Sequence, residues 1–126
     1  MSDKKNLLFT KEHEWLDVNG DEAQVGITDF AQGELGDIIF VELPEVGDTF
    51  SKDDVFGTIE AVKTVADLYM PVSGEILELN NVIEDSPELI NTSPHESGWI
   101  IKIKITEKTE VDSLLNENQY KELINV

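Results

Sequence analysis

The segment from Val55 to Val72 constrains the fold most, because its apolar residues climb to a single lysine and then descend from it. It reads Val55-Phe-Gly57-Thr-Ile-Glu60-Ala-Val-Lys63, then Thr64-Val-Ala-Asp67-Leu-Tyr-Met-Pro71-Val72. Two β-rich runs separated by so short a break pair as a hairpin, with Lys63 at its tip. The spacing predicts one strand over 55–62 and another over 66–72, where Pro71 marks an edge or a strand end. Lys63 is the only lysine between Lys52 and Lys102, and the chain has no arginine. The default for a lone lysine is a solvated turn residue. A single amine lifted on a hairpin, framed by Glu60 before it and Gly74 after it, points instead to an attachment point.

The flanking chain is written in the same short-strand idiom. Ala23-Gln-Val-Gly-Ile27 alternates and runs into Thr28-Asp29, the start signal for a short helix through Phe30 to Leu35. Ile38-Ile-Phe-Val-Glu-Leu43 is a mostly apolar run stopped by Pro44, which predicts a buried strand. Glu75 to Leu79 follows the Ser73-Gly74 turn and ends at Asn80-Asn81. Trp99 to Ile105 alternates, with Ile101, Ile103 and Ile105 on one face and Lys102 and Lys104 on the other. The period then changes. Thr109 with Asp112 resembles a helix cap ahead of Val111, Leu114 and Leu115, and Asn116 with Gln119 reads as a capping box before Tyr120, Leu123 and Ile124. The expectation is a mainly β fold, one domain over residues 1–126, closed by short C-terminal helices, with residues 1–6 a loose N-terminus.

Composition narrows the function. The chain carries 27 Asp+Glu against nine lysines, a formal net charge of -18. Such a surface repels nucleic acid, whose binding needs clustered cations to displace counterions. It solubilises, and it steers a small carrier toward basic docking rims. There is no cysteine, so disulfides, thiolate metal sites and protein-thiol redox chemistry are excluded. The start, Met1-Ser-Asp-Lys-Lys-Asn6, shows no apolar signal-peptide core, and no apolar run approaches membrane-span length, so the expected address is cytoplasmic with no membrane partner.

The only histidines are His13 and His95. His13-Glu14 opens like a metalloprotease motif, but the second histidine that motif needs is replaced by Asp17, so no metal site is expected. Two lone histidines also give no nucleophile and base pair. Trp15 and Trp99 read as core or cleft packing. A free lysine amine has a pKa near ~10.4, so about one in two thousand is neutral at pH 7. A catalytic lysine needs desolvation or a neighbouring cation. An exposed tip offers neither, which makes Lys63 a poor nucleophilic catalyst.

Taken in order, the motifs resemble the glycine cleavage H-protein family. They are His13-Glu14-Trp15, Gly26-Ile-Thr-Asp-Phe-Ala-Gln32, Leu35-Gly-Asp-Ile-Ile-Phe-Val-Glu-Leu-Pro44 and Glu60-Ala-Val-Lys63. Asp67-Leu-Tyr, Pro71-Val-Ser-Gly74, Leu89-Ile-Asn91, Pro94, Gly98-Trp99, Leu114-Leu115 and Tyr120 complete them. The likeness runs from about Phe9 to Ile124. It implies a small barrel-sandwich hybrid of the lipoyl/biotinyl-carrier kind and lipoate attached covalently to Lys63, with Glu60 and Gly74 recognised by the ligase. It further implies a non-catalytic carrier that takes an aminomethyl group from glycine decarboxylase (P-protein) to the aminomethyltransferase (T-protein). Dihydrolipoamide dehydrogenase (L-protein) then reoxidises the arm. A lipoate ligase or a lipoyl/octanoyl transferase installs the group. Glu14 and Asp67 are implied as walls of a cleft that docks the arm, although Glu12 stands where a small hydroxyl residue is expected.

Three other readings compete. A biotin carrier flanks its lysine with methionines, where this chain has Val62 and Thr64. The lipoyl domain of a 2-oxo acid dehydrogenase comes with Ala/Pro-rich linkers, and it lacks the His13-Glu-Trp15 segment. An H-like relay of lipoyl or octanoyl groups to other lipoyl-dependent enzymes is separated least well by sequence.

Overall fold

The computed structural model describes residues 7–124, so the stretch expected to be a loose N-terminus lies outside the described residues. Two antiparallel sheets face each other. The larger is built from β1 (Leu8–Phe9), β2 (Glu14–Asn19), β3 (Glu22–Ile27), β5 (Thr49–Phe50), β8 (Gly74–Leu79) and β9 (Ile101–Ile105), in the order β1-β2-β3-β9-β8-β5. The smaller has β4 (Ile38–Glu42), β6 (Val55–Ala61) and β7 (Val65–Tyr69), in the order β4-β6-β7. The mainly β expectation holds.

Alternation decides what each sheet buries. On β9, Ile101, Ile103 and Ile105 are buried while Lys102 and Lys104 point away, and Val25 and Ala23 of β3 sit opposite Ile101 and Ile103. From the small sheet, Val41, Ile59 and Leu68 meet them in one core with Leu16, Met70 and Ile76. Burying each of the larger side chains is worth about 1.5–3 kcal/mol. A second cluster of Phe9, Trp15 and Tyr120 seats the C-terminal helix against β1 and β2, with Phe9 and Tyr120 stacked at 4.7 Å.

Helix α1 (Asp29–Leu35) begins as read, because the Thr28 hydroxyl accepts from the Ala31 amide at 3.1 Å. It stops at Gly36, whose φ of 81° only glycine adopts freely. Two short turns of helix, α2 (Val82–Asp85) and α3 (Leu89–Thr92), add to the elements the sequence pattern predicts. Helix α4 (Glu117–Ile124) carries the expected capping box: the Gln119 amide donates to Asn116 at 2.8 Å, and the Asn116 amide donates to Gln119 at 3.0 Å.

Two sequence expectations need correction. Thr109 caps nothing: Lys108–Ser113 is a 3-10 turn with no side-chain cap. Tertiary bonds hold it instead, since the Lys108 amine donates to Gly20 O at 2.8 Å and the Glu110 carboxylate accepts from the Ser73 amide at 2.6 Å. Strand β4 is also not buried on both faces. Its register shifts between Ile38 and Phe40, which leaves Ile39 and Phe40 about half exposed, at 51% and 55%.

Candidate functional site

Strands β6 and β7 form the hairpin, and Val62, Lys63 and Thr64 make its tip. The Ala61 amide donates to Thr64 O at 2.8 Å, closing the turn, and all three tip side chains are exposed. The Val62 amide donates to Asp37 O at 3.0 Å, which ties the tip to the link between α1 and β4. The lysine stem lies over Gly36, where an added Cβ would meet Lys63 Cε at 3.4 Å. Glycine there leaves the outer part of the side chain uncrowded.

Asn91 holds that link. Its carbonyl accepts from the Ile38 amide at 3.0 Å, and its amide nitrogen donates to Gly36 O at 2.8 Å and to Gln32 at 3.0 Å. The residue therefore brackets Asp37, whose own carbonyl pins Val62. Leaving two partly buried backbone groups unpaired costs about 1–3 kcal/mol each before relaxation. Asn91→Ala is therefore expected to lower stability by about 1–3 kcal/mol in urea unfolding. It should also alter the amide resonances of Val62, Lys63 and Thr64. An unchanged tip spectrum would show that the clamp does not reach the hairpin.

Glu14, at the head of β2, is buried. One carboxylate oxygen accepts from the Tyr69 amide at 2.7 Å, and the other accepts from the Thr10 hydroxyl at 3.4 Å. It thus links the large sheet to the β7 edge of the hairpin. Burial pushes its pKa up to about 8, the Tyr69 and Thr10 bonds pull the other way, and the nearby Glu12 and Asp53 carboxylates add to the rise. The turn before it is strained: His13 has a φ of 68°, a conformation costing an L residue about 1–2 kcal/mol. Three contacts hold it there. The His13 amide donates to Thr10 O at 3.1 Å, His13 O accepts from the Thr28 amide at 3.0 Å, and the ring Nδ1 lies 2.9 Å from the Tyr120 hydroxyl.

Asp67 is exposed on β7, two residues before Tyr69 and opposite Thr58. Side chains at i and i+2 share one face of a strand, so Asp67 and Tyr69 lie on the same face. A cleft of about 470 Å³ is lined by Thr10, Glu12, Lys52, Asp53 and Pro71, among others, and its lining includes neither Glu14 nor Asp67. Asp53, with a φ of 73° and its amide donating to Met70 O at 2.8 Å, has no sequence signal that would place it near Glu14. Glu60 is exposed on β6, in the row Phe40–Glu60–Val65 across the small sheet. Gly74 is buried at the head of β8, where a Cβ would come within 2.7 Å of Lys104 O. Close packing of strands explains glycine at that position. His95 lies elsewhere, with its Nε2 accepting from the Asp29 amide at 3.2 Å and its ring edge-on to Trp15.

A braced hairpin on a scaffold of two small sheets thus offers one lysine to solvent. Comparison with known proteins shows the family. The family described as "Glycine cleavage H-protein" matches residues 7–126. The chain is 51% identical to the glycine cleavage system H protein of Staphylococcus carnosus over 124 residues, covering 98% of each. It is 49% identical to that of Bacillus licheniformis over 124 residues, again covering 98% of each. The crystal structure of a glycine cleavage system H protein from Mycobacterium marinum superposes with a TM-score of 0.88 at 39% identity, over 95% of this chain and 97% of the other. The chain belongs to the glycine cleavage H-protein family.

Proposed function

We propose that this chain is the lipoyl carrier of a glycine cleavage system, with lipoate in amide linkage to Lys63. The observation that carries the reading is the exposed lysine on a hairpin tip braced by Asp37 and Asn91, in a member of this family. The site fits the group: the amine is open to solvent, Gly36 leaves room for the stem, and the tip's geometry is fixed by backbone bonds. When bound, the dithiolane supplies the sulfur chemistry that a cysteine-free chain lacks, taking up the aminomethyl group and handing it on. The chain itself presents and protects. It serves glycine decarboxylase, aminomethyltransferase and dihydrolipoamide dehydrogenase in turn, and it catalyses none of their steps. Either a lipoate ligase or a lipoyl/octanoyl transferase acylates the amine, with Glu60 beside the tip as a contact. The names of the relatives favour this duty over a relay to other lipoyl-dependent enzymes.

Glu14 and Asp67 form the docking end. An extended lysine–lipoyl arm reaches roughly 14 Å from the backbone, and the cargo adds about 3 Å. Along a strand rising ~3.3 Å per residue, Asp67 lies about 13 Å from Lys63 and Tyr69 about 20 Å. The cargo amine therefore ends between Asp67 and the carboxylate that Tyr69 holds. Among the described residues no helix is long and apolar enough to cross a membrane.

Peptide mapping of the protein from its native host tests the reading. A lipoyl group is expected on Lys63 and on no other lysine. Lipoate elsewhere, or biotin at Lys63, would overturn it.

A further inference from the structure

Of the eight large apolar side chains exposed among the described residues, four stand at the tip end of the small sheet. Ile39 and Phe40 come from β4, Val65 begins β7, and Val62 adjoins Lys63; Val65 and Val62 are 62% and 72% exposed. Strand register places Phe40, Glu60 and Val65 in one row. Behind that row, away from the tip, come Glu42, Thr58 and Asp67, with the Thr58 hydroxyl donating to Glu42 at 3.3 Å. The inner face of these strands needs none of these side chains, since Ile38, Val41, Ile59, Ala61 and Leu68 already fill it. A single exposed valine is ordinary, but four apolar side chains on one end of one sheet mark a contact surface.

We infer that Ile39, Phe40, Val62 and Val65 form a collar that seats on the glycine decarboxylase that loads the Lys63 arm, on an apolar shelf beside its active-site entrance. Basic residues of the partner lie one strand-row farther back, facing Glu42 and Asp67. The inference rests on the carrier reading of Lys63. Position supports it: an enzyme that admits the Lys63 side chain brings its surface onto the residues flanking that lysine. Charge supports it as well. The acidic row selects a basic partner, and a net charge of -18 opposes a second copy of this chain. Glu60, exposed between Phe40 and Val65 in the collar row, adds a third carboxylate for the partner's cations among the apolar contacts. Such a collar gives the enzyme a protein to recognise and not merely an arm.

The test separates collar from arm. Lys63→Arg carrier, which bears no lipoyl group, should compete with lipoylated parent for glycine decarboxylase, and the K63R/V65D double variant should compete at least tenfold less well. Lipoylated Val65→Asp and Phe40→Ser carriers, confirmed by intact mass, should show KM raised about tenfold with kcat unchanged. Turnover of free lipoamide by the same enzyme serves as the arm-only control. Glu42→Gln should flatten the rise of KM with salt. Failure of Lys63→Arg to compete, or parental KM for both lipoylated collar variants, would overturn the inference. So would sedimentation showing a parent dimer that V65D dissolves, because the collar would then pair two carriers. Lipoate missing from Lys63 in native protein defeats the carrier reading instead, and the mass measurement distinguishes that result.

Discussion

Lys63→Arg is expected to bring reconstituted glycine cleavage down to background while leaving the fold intact. Arginine keeps a positive charge and a long apolar stem, but its guanidinium stays protonated and does not become the neutral nucleophile that acylation requires. The tip itself is held by main-chain bonds, from Ala61 to Thr64 and from Val62 to Asp37, and the substitution touches neither. The side chain is exposed, so stability should move by no more than about 0.5 kcal/mol. Carbon dioxide release from glycine, measured beside thermal unfolding of the same preparation, checks both halves. Residual turnover well above background would show that another residue bears the arm. A large loss of stability would make Lys63 part of the structure.

The sequence disclosed the elements whose local pattern and tertiary surroundings agree. Alternation across Ile101–Ile105 told which face is buried, the Thr28 and Asn116/Gln119 caps told where helices start, and the rise and fall about Lys63 showed the hairpin. Legibility failed where a distant partner decides. Ile38–Leu43 looks buried throughout, yet a register shift against β6 turns Ile39 and Phe40 outward, and no local pattern encodes that shift. Thr109 has cap chemistry, but Ser73 and Gly20 hold the segment as a 3-10 turn. The motif likeness singled out Glu14 without showing its burial or its bond to Tyr69, fifty-five residues away. The approach of Asp53 and the three-way hold of Asn91 are likewise products of packing.

Glu14 should make both stability and guarding of the cargo depend on pH. Burial raises its pKa from 4.5 to about 8, with Glu12 and Asp53 adding repulsion against the bonds from Tyr69 and Thr10. The fold thus prefers the neutral acid. Its contribution is fully present below pH 4.5 and is lost as pH climbs through about 8. Glu14→Gln, which keeps an oxygen for the Tyr69 amide and cannot ionise, should match the parent near pH 5. Near pH 9 it should be more stable by about 2–4 kcal/mol, because every tenfold change in acidity between the unfolded and folded pKa is worth at most ~1.4 kcal/mol. Urea unfolding at both values measures this, and parallel curves would mean that Glu14 titrates normally. The same group should respond to cargo. A cationic aminomethyl group placed between Asp67 and Glu14 favours the ionised carboxylate, so docking expels a proton below pH 8 and strengthens as pH rises toward it. A charge-assisted bond of about 1.5–3 kcal/mol corresponds to a roughly ten- to hundredfold longer lifetime of the loaded carrier. Formaldehyde release without the aminomethyltransferase, followed from about pH 6 to about pH 8, should slow with rising pH in the parent. In Glu14→Gln it should be faster and should lose that dependence, and Asp67→Ala should be faster with the dependence kept. Release at the parental rate from both variants would remove these carboxylates from the docking end and leave the cargo guarded elsewhere.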